Sequence, residues 1–329
     1  MNEGKMMKSM KIISLYALAV LAVSCGQQCC EEEVPVVNAT YVHRYGVAVP
    51  SDFWASSGQD GQVVTTLADG VVVTKSYNAG VLEGDTTYSY PHSSQIEKRE
   101  TYQNGTVAKE VLYFLDGTPK QETIFETAPG INAVSNWYLN GTPKSIEQKS
   151  GELILQGDYF TINNQRDATV DNSEGTRLIR DDYGQLLSTD AISGGQLALR
   201  TTYFPNGSPR ESISYQNGAF HGEKKTFYPA GEPHSVEMWA DGKQNGMTTL
   251  YQNGEKYTEV PYLNGQKHGV ERRYRDGNEI VQEVSWHEGR LHGPSTTYVG
   301  DTVKTDWYYT GSPISENDFN LTKNRAVVK

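Results

Sequence analysis

Apolar and aromatic residues in this chain come in short runs punctuated by glycine, such as Thr-Phe-Tyr at 226–228 and Ile-Val-Gln-Glu-Val-Ser-Trp at 280–286. Outside the N-terminus no window sustains a 3.6-residue apolar period, so long amphipathic helices are not expected. Runs rich in Tyr, Thr, Val and Trp at 8–12-residue spacing, bounded by Gly turns, predict a β-meander. The turn signals are explicit. Asn-Gly pairs open at Asn104, Asn140, Asn206, Asn217, Asn245, Asn253 and Asn264, and Asp-Gly pairs at Asp60, Asp69, Asp116, Asp241 and Asp276. Both suit two-residue primed turns, whose central residues need positive φ.

The pattern repeats. From Tyr215 to Gly300 one unit of about two dozen residues runs almost four times. Gly218, Gly242, Gly265 and Gly289 open the units, and Gly222, Gly246, Gly269 and Gly293 each follow four residues later. Gly231, Gly254, Gly277 and Gly300 mark half-way turns. An aromatic stands three residues before each opening glycine, at Tyr215, Trp239, Tyr262 and Trp286. A second one, Tyr228, Tyr251, Tyr274 or Tyr298, precedes each half-way turn. One such hairpin is marginal alone, so neighbours must stack to bury its apolar face. The expected fold class is all-β, an elongated antiparallel meander of stacked β-hairpin repeats.

The units Tyr-Gln-Asn-Gly-Ala-Phe-His-Gly (215–222), Tyr-Leu-Asn-Gly-Gln-Lys-His-Gly (262–269) and Trp-His-Glu-Gly-Arg-Leu-His-Gly (286–293) resemble MORN repeats. They are most similar to the bacterial variant found in YwqK-type antitoxins and Bacteroidetes lipoproteins. The resemblance covers 215–311 well, and 77–120 and 136–146 more loosely. The unit at Trp239 departs from it, with Asn245 in place of His. It implies a hairpin array serving as a scaffold or binding surface, and no catalytic residues.

The rest of the chain divides around that array. Lys5, Lys8 and Lys11 precede an apolar core, Ile12 to Val23, too short for an ordinary membrane span. Residues 1–24 therefore read as a signal peptide. Ala22-Val23-Ser24-Cys25 resembles a lipobox, which makes Cys25 the candidate lipidation site. Residues 25–40 follow as a tether holding Cys29, Cys30 and the acidic run 31–33. That run resembles a surface-export signal or is a solvated linker. Valine clusters broken by Asp60-Gly61 and Asp69-Gly70 make 41–76 a β cap over the first sheet edge. The array spans 77–311, with 146–200 irregular and poor in aromatics, and Pro129-Gly130 reads as part of an inserted loop. The tail, 312–329, is either a final strand or unstructured.

Charge narrows the partners. The net charge of −11 becomes −13 without residues 1–24, which hold three Lys and one Glu. An acidic chain with no Lys/Arg cluster argues against nucleic acid and anionic lipid surfaces, leaving lipidated Cys25 as the membrane contact. The histidines of His-Gly (His221, His268, His292) invite a metal reading. Equivalent positions in successive hairpins are two strands, about 9.5 Å, apart. Zinc ligands sit about 2 Å from the ion, so these histidines read as local turn residues and no metal is expected. His287 beside His292 is the one close pair, without a third ligand. No Walker A loop, HExxH, GxSxG or EF-hand loop is present, so no catalytic residues and no cofactor are expected. Tyr215, Trp239, Tyr262 and Trp286 form either a buried ladder or an exposed stripe able to stack on sugars or peptide side chains. The reading is a non-enzymatic, lipid-anchored protein of the bacterial envelope, at the outer membrane, that binds a protein partner. The alternatives are an antitoxin or immunity-like protein and a carbohydrate-binding lipoprotein.

Overall fold

Alternating, glycine-punctuated sequence gives one open antiparallel meander of 28 strands among the described residues. The computed structural model describes residues 34–326; the signal segment, Cys25, Cys29, Cys30 and the 31–33 run lie outside them. The described strands belong to the unit 36–329. Packing runs almost wholly between strands adjacent in the sequence, as expected of a repeat array.

Two sets of bonds join successive hairpins, turn amides at one end of the strands and, in some units, Tyr hydroxyls at the other. At the opening-glycine end, the turn amide reaches the preceding hairpin: Gly242 N–H donates to Phe220 O (2.9 Å), Gly265 to Gln244 O (2.8 Å), Gly289 to Lys267 O (2.9 Å) and Gly311 to Leu291 O (2.8 Å). At the other end, three Tyr hydroxyls reach the following half-way turn. Tyr90 donates to Tyr113 O (2.7 Å), Tyr138 to Phe160 O (2.7 Å) and Tyr228 to Tyr251 O (3.3 Å). The repeat length thus fixes donor and acceptor about one unit apart.

The turn pairs separate into three conformations. Asn217-Gly218 and Asn264-Gly265 are primed turns, with φ of 51° and 78°, and of 53° and 84°. At Asp116-Gly117, Asn140-Gly141 and Asn206-Gly207 only the glycine has positive φ. Here the Asp or Asn side chain accepts the backbone N–H two residues on, at 2.9–3.0 Å, which makes a longer loop rather than the expected primed turn. Asn245-Gly246 is not a turn at all. It sits at the His-Gly position, and so do Gly222, Gly269 and Gly293. Between the cross-strand pairs Tyr262–Lys267 and Glu259–Arg272, the second strand carries two residues more than the first. His-Gly is therefore a bulge rather than a turn. Its backbone still pairs, since His268 N–H donates to Pro261 O at 2.9 Å and Asn245 N–H to Met238 O at 2.8 Å. Glycine follows because φ is positive and the bulge presses on the neighbouring strand; at Gly246 a Cβ would lie 2.9 Å from Met238 Cβ.

Four boundaries differ from expectation. Val36–His43 is already a strand paired with Gly61–Leu67, so the tether ends before 36 and not at 40. The N-terminal cap also contains a helix, α1 (Ser51–Ser56), whose buried Trp54 packs on Tyr41 (5.8 Å between ring centroids) and Tyr77 (6.2 Å). Pro129-Gly130 is a two-residue turn between Pro119–Ala128 and Ile131–Trp137, because Pro fixes φ before a glycine at φ 70°. The tail makes a strand, Ser312–Ile314, and a helix, α2 (Glu316–Ala326), whose buried Phe319 meets Trp307 (5.2 Å) and His292 (5.3 Å). Both helices hang on one aromatic and are too short for a legible apolar period.

Gly265→Val is expected to destabilise the array by about 2 kcal/mol, from the left-handed backbone alone, since its nearest non-adjacent heavy atom to a Cβ is 4.0 Å away. Gly246→Ala adds the Met238 clash and should cost at least as much. Denaturant unfolding of both variants checks this, and wild-type stability in Gly265→Val would contradict the primed turn.

Candidate functional site

Successive strand side chains point to opposite faces, and directly paired residues share one. Following the register from Ile213–Lys224 through Lys224–Glu237, Ser235–Leu250, Leu250–Thr258, Thr258–Arg273 and Glu271–Val284 stays on one face. Tyr215, Trp239, Tyr262 and Trp286 all lie on this face, and all are half-buried. Opening aromatics are about 9.5 Å apart from one repeat to the next. Tyr274 lies on the opposite face, since it follows Arg273 by one residue. The two aromatics of a unit therefore do not form a single ladder.

Rings on both faces are tied to carboxylates. Glu271, 2 % exposed, accepts from Trp286 Nε1 (3.0 Å), Lys267 Nζ (2.8 Å) and Arg273 Nε (3.3 Å). Glu237 accepts from Trp239 Nε1 (2.9 Å) and Gln244 Nε2 (3.1 Å). On the other face, Glu259 takes the Tyr274 hydroxyl and Lys256, while Glu283 takes the Tyr298 hydroxyl and Arg272. The same device recurs at Glu100, which accepts from Tyr88, Tyr102 and Lys98. Burial, together with the Glu100 carboxylate, pushes the Tyr102 hydroxyl up to about 12. Cations also cover the rings. Lys267 Nζ stands 4.6 Å from the Trp286 centroid and Lys224 Nζ 5.9 Å from that of Trp239. Phe220 packs edge-on between Tyr215 (5.2 Å) and Trp239 (5.3 Å).

The most buried polar cluster falls where the repeat is least regular. Arg166–Asp171 and Glu174–Arg180 share only two register pairs, and Arg177 reaches back to Glu147 at 2.7 Å. Glu147 also takes the Tyr159 hydroxyl (2.9 Å) and Lys149 (2.8 Å), and Arg200 grips Asp190 through two 2.7 Å bonds. Glu147 and Asp190 are each 1 % exposed. Beside them Ile154, Tyr159, Val170 and Ile192 form an apolar core. Burial works to raise the Glu147 carboxyl, but Arg177 and Lys149 outweigh it and hold it below the usual range. Composition hinted at nothing of this, because the partners are up to thirty residues apart.

The close pair His287–His292 extends to a third histidine. His287 lies on the intervening strand, 4.9 Å from His268 and 5.5 Å from His292 between ring centroids, so His292 is not its one close neighbour. Among the described residues no group of three His, Cys, Asp or Glu converges closely enough to hold a metal ion. No helix there is long and apolar enough to cross a membrane.

No family model and no curated protein matches this chain. Among solved structures it is similar to TcdB2-TccC3-TEV, with 10% identity over 84% of this chain and 20% of that one. A second is TcdB2-TccC3 without its hypervariable C-terminal region, with 13% identity over 77% and 17%. The chain spans about a fifth of their length, and at a TM-score of 0.18 for each the likeness carries no argument.

The lowered carboxyls of Glu100, Glu147 and Glu259 carry a sign. A carboxylate held below its unfolded value stabilises the fold above that value, and the contribution is lost as pH falls through the folded one. Unfolding free energy should be flat at neutral pH and fall below about pH 4.5. Glu147→Gln should cost about 3 kcal/mol at pH 7, leaving Arg177 without its charge partner, and should flatten the acid limb. Denaturant titrations between pH 3 and 8 check both. An unchanged acid limb in Glu147→Gln would contradict the assignment.

Proposed function

We propose that this chain is a non-enzymatic, MORN-type repeat scaffold of the bacterial cell envelope, anchored by a lipid on Cys25, and that it binds a protein partner. The observation that carries the reading is the row of half-exposed Tyr215, Trp239, Tyr262 and Trp286 on one face, with Lys and Arg beside them. Aromatic and Arg side chains dominate the energetics of protein interfaces, and a rigid row presents them without a large ordering cost. Repeats with paired glycines and His-Gly bulges support the MORN-type reading. The apolar 12–23 segment before Cys25 supports the anchor. A sugar-stacking role needs open ring faces, whereas lysines stand over Trp239 and Trp286. That favours a protein over a glycan.

A photo-crosslinking residue at Tyr262 should capture one defined protein in intact cells of the source bacterium. The same residue at Met247, exposed on the opposite face of an adjacent strand, should capture none. Equal capture from both faces, or none from Tyr262 with the protein folded in the envelope, would overturn the proposal.

A further inference from the structure

The irregular segment opens a groove that the repeat face does not share. Lys144, Lys149, Arg177 and Arg180 line it, and Glu147 is its one acidic lining residue. Four cations against one carboxylate reverse the balance of a chain whose net charge is −11. Glu147 is already saturated by Arg177, Lys149 and the Tyr159 hydroxyl, so it offers no acceptor to a ligand cation. Donors are in surplus instead. Arg180 gives Nη1–H to Gly184 O at 3.0 Å and Nη2–H to Asp167, yet its Nε–H is buried without an acceptor. A buried donor left unmade costs the full desolvation of the group, which favours any acceptor that reaches it. Ser145 adds a second donor. Its Oγ accepts from Asn136 Nδ2 at 2.9 Å, and Asn136 in turn accepts from Gln121, which leaves the serine proton to be given.

The existing counter-ions are displaceable. Lys144 pairs with Asp182 and Arg180 with Asp167, and those carboxylates are 36% and 39% exposed. Pairs with so much water around one partner are worth little, and a released aspartate stays solvated. Guanidinium N–H groups are matched in geometry to the oxygens of carboxylate and phosphate. We propose that this groove binds an oxyanion, the phosphate or carboxylate group of a ligand, through Arg180 Nε–H, Lys144 and the Ser145 hydroxyl. The site is independent of the aromatic face between 215 and 300, and it stands whether or not that face binds a protein.

The test is calorimetric titration of the full chain in dilute detergent with inorganic phosphate and with succinate, at ionic strength held constant with chloride. Saturable one-to-one binding of at least one anion is expected. Arg180→Lys keeps the charge and removes Nε–H from the fork, and should weaken binding about tenfold. Lys225→Gln, at the exposed Lys225–Glu223 pair, should leave it unchanged. Should Arg180→Lys fail to fold, Lys144→Gln serves in its place, with about a fivefold loss expected. Binding of phosphate alone would assign a phosphorylated ligand, and binding of succinate alone a carboxylate. No saturable binding of either anion to folded protein, or equal binding by the variant and the wild type, would overturn the proposal.

Discussion

A sheet without a second layer must bury its faces with its own side chains, and this constraint governs the molecule. Strands here pack almost wholly on their sequence neighbours. Purely apolar strands would leave two wide hydrophobic faces in water, an aggregation hazard. The chain instead plants a carboxylate in the strand and closes ring N–H or O–H groups and Lys or Arg over it, as at Glu271, Glu259 and Glu100. The rings supply buried area while their polar atoms and the cations neutralise the charge. Stapling completes the scheme, with turn amides at one end of the strands and, in some units, Tyr hydroxyls at the other.

Between 146 and 200 the same ingredients make something different. Pairing shrinks to Val170–Gly175 and Asp171–Glu174, and Arg177 crosses back to Glu147. An apolar core of Ile154, Tyr159, Val170 and Ile192 then becomes possible beside two carboxylates that are almost fully buried. Regular units hold by many modest contacts, whereas this stretch concentrates burial and charge. The groove with surplus donors adjoins this buried, charged stretch.

Glycine made the meander legible. Asn217-Gly218 and Asn264-Gly265 adopt the primed turns their residue types demand. What local chemistry could not show was context. Asn206-Gly207 and Asn264-Gly265 are the same dipeptide, yet the first closes on its own side-chain acceptor and the second does not. His-Gly looks like a turn by composition, and only the two-residue excess against the opposite strand makes it a bulge. The aromatics were visible in register, but their division between two faces needs the pairing register, in which Tyr262 lies opposite Lys267 and Tyr274 follows Arg272 on the face of Glu259. Glu147, Arg177 and Asp190 were invisible as a cluster, because a long-range contact between isolated charges leaves no periodic trace. Helices α1 and α2 escaped notice for a similar reason, each holding on by a single ring, Trp54 or Phe319.

The central claim is that polar hubs, densest at the irregular segment, hold a single-layered sheet together. Native-state hydrogen exchange of the full chain tests it most directly, because amide protection reports local opening free energies strand by strand. Protection should be greatest in Pro143–Ser150, Leu153–Phe160 and Leu186–Ser193, declining towards both ends of the array. Maximal protection in the regular repeats between 215 and 300, with early exchange at 146–200, would contradict the account.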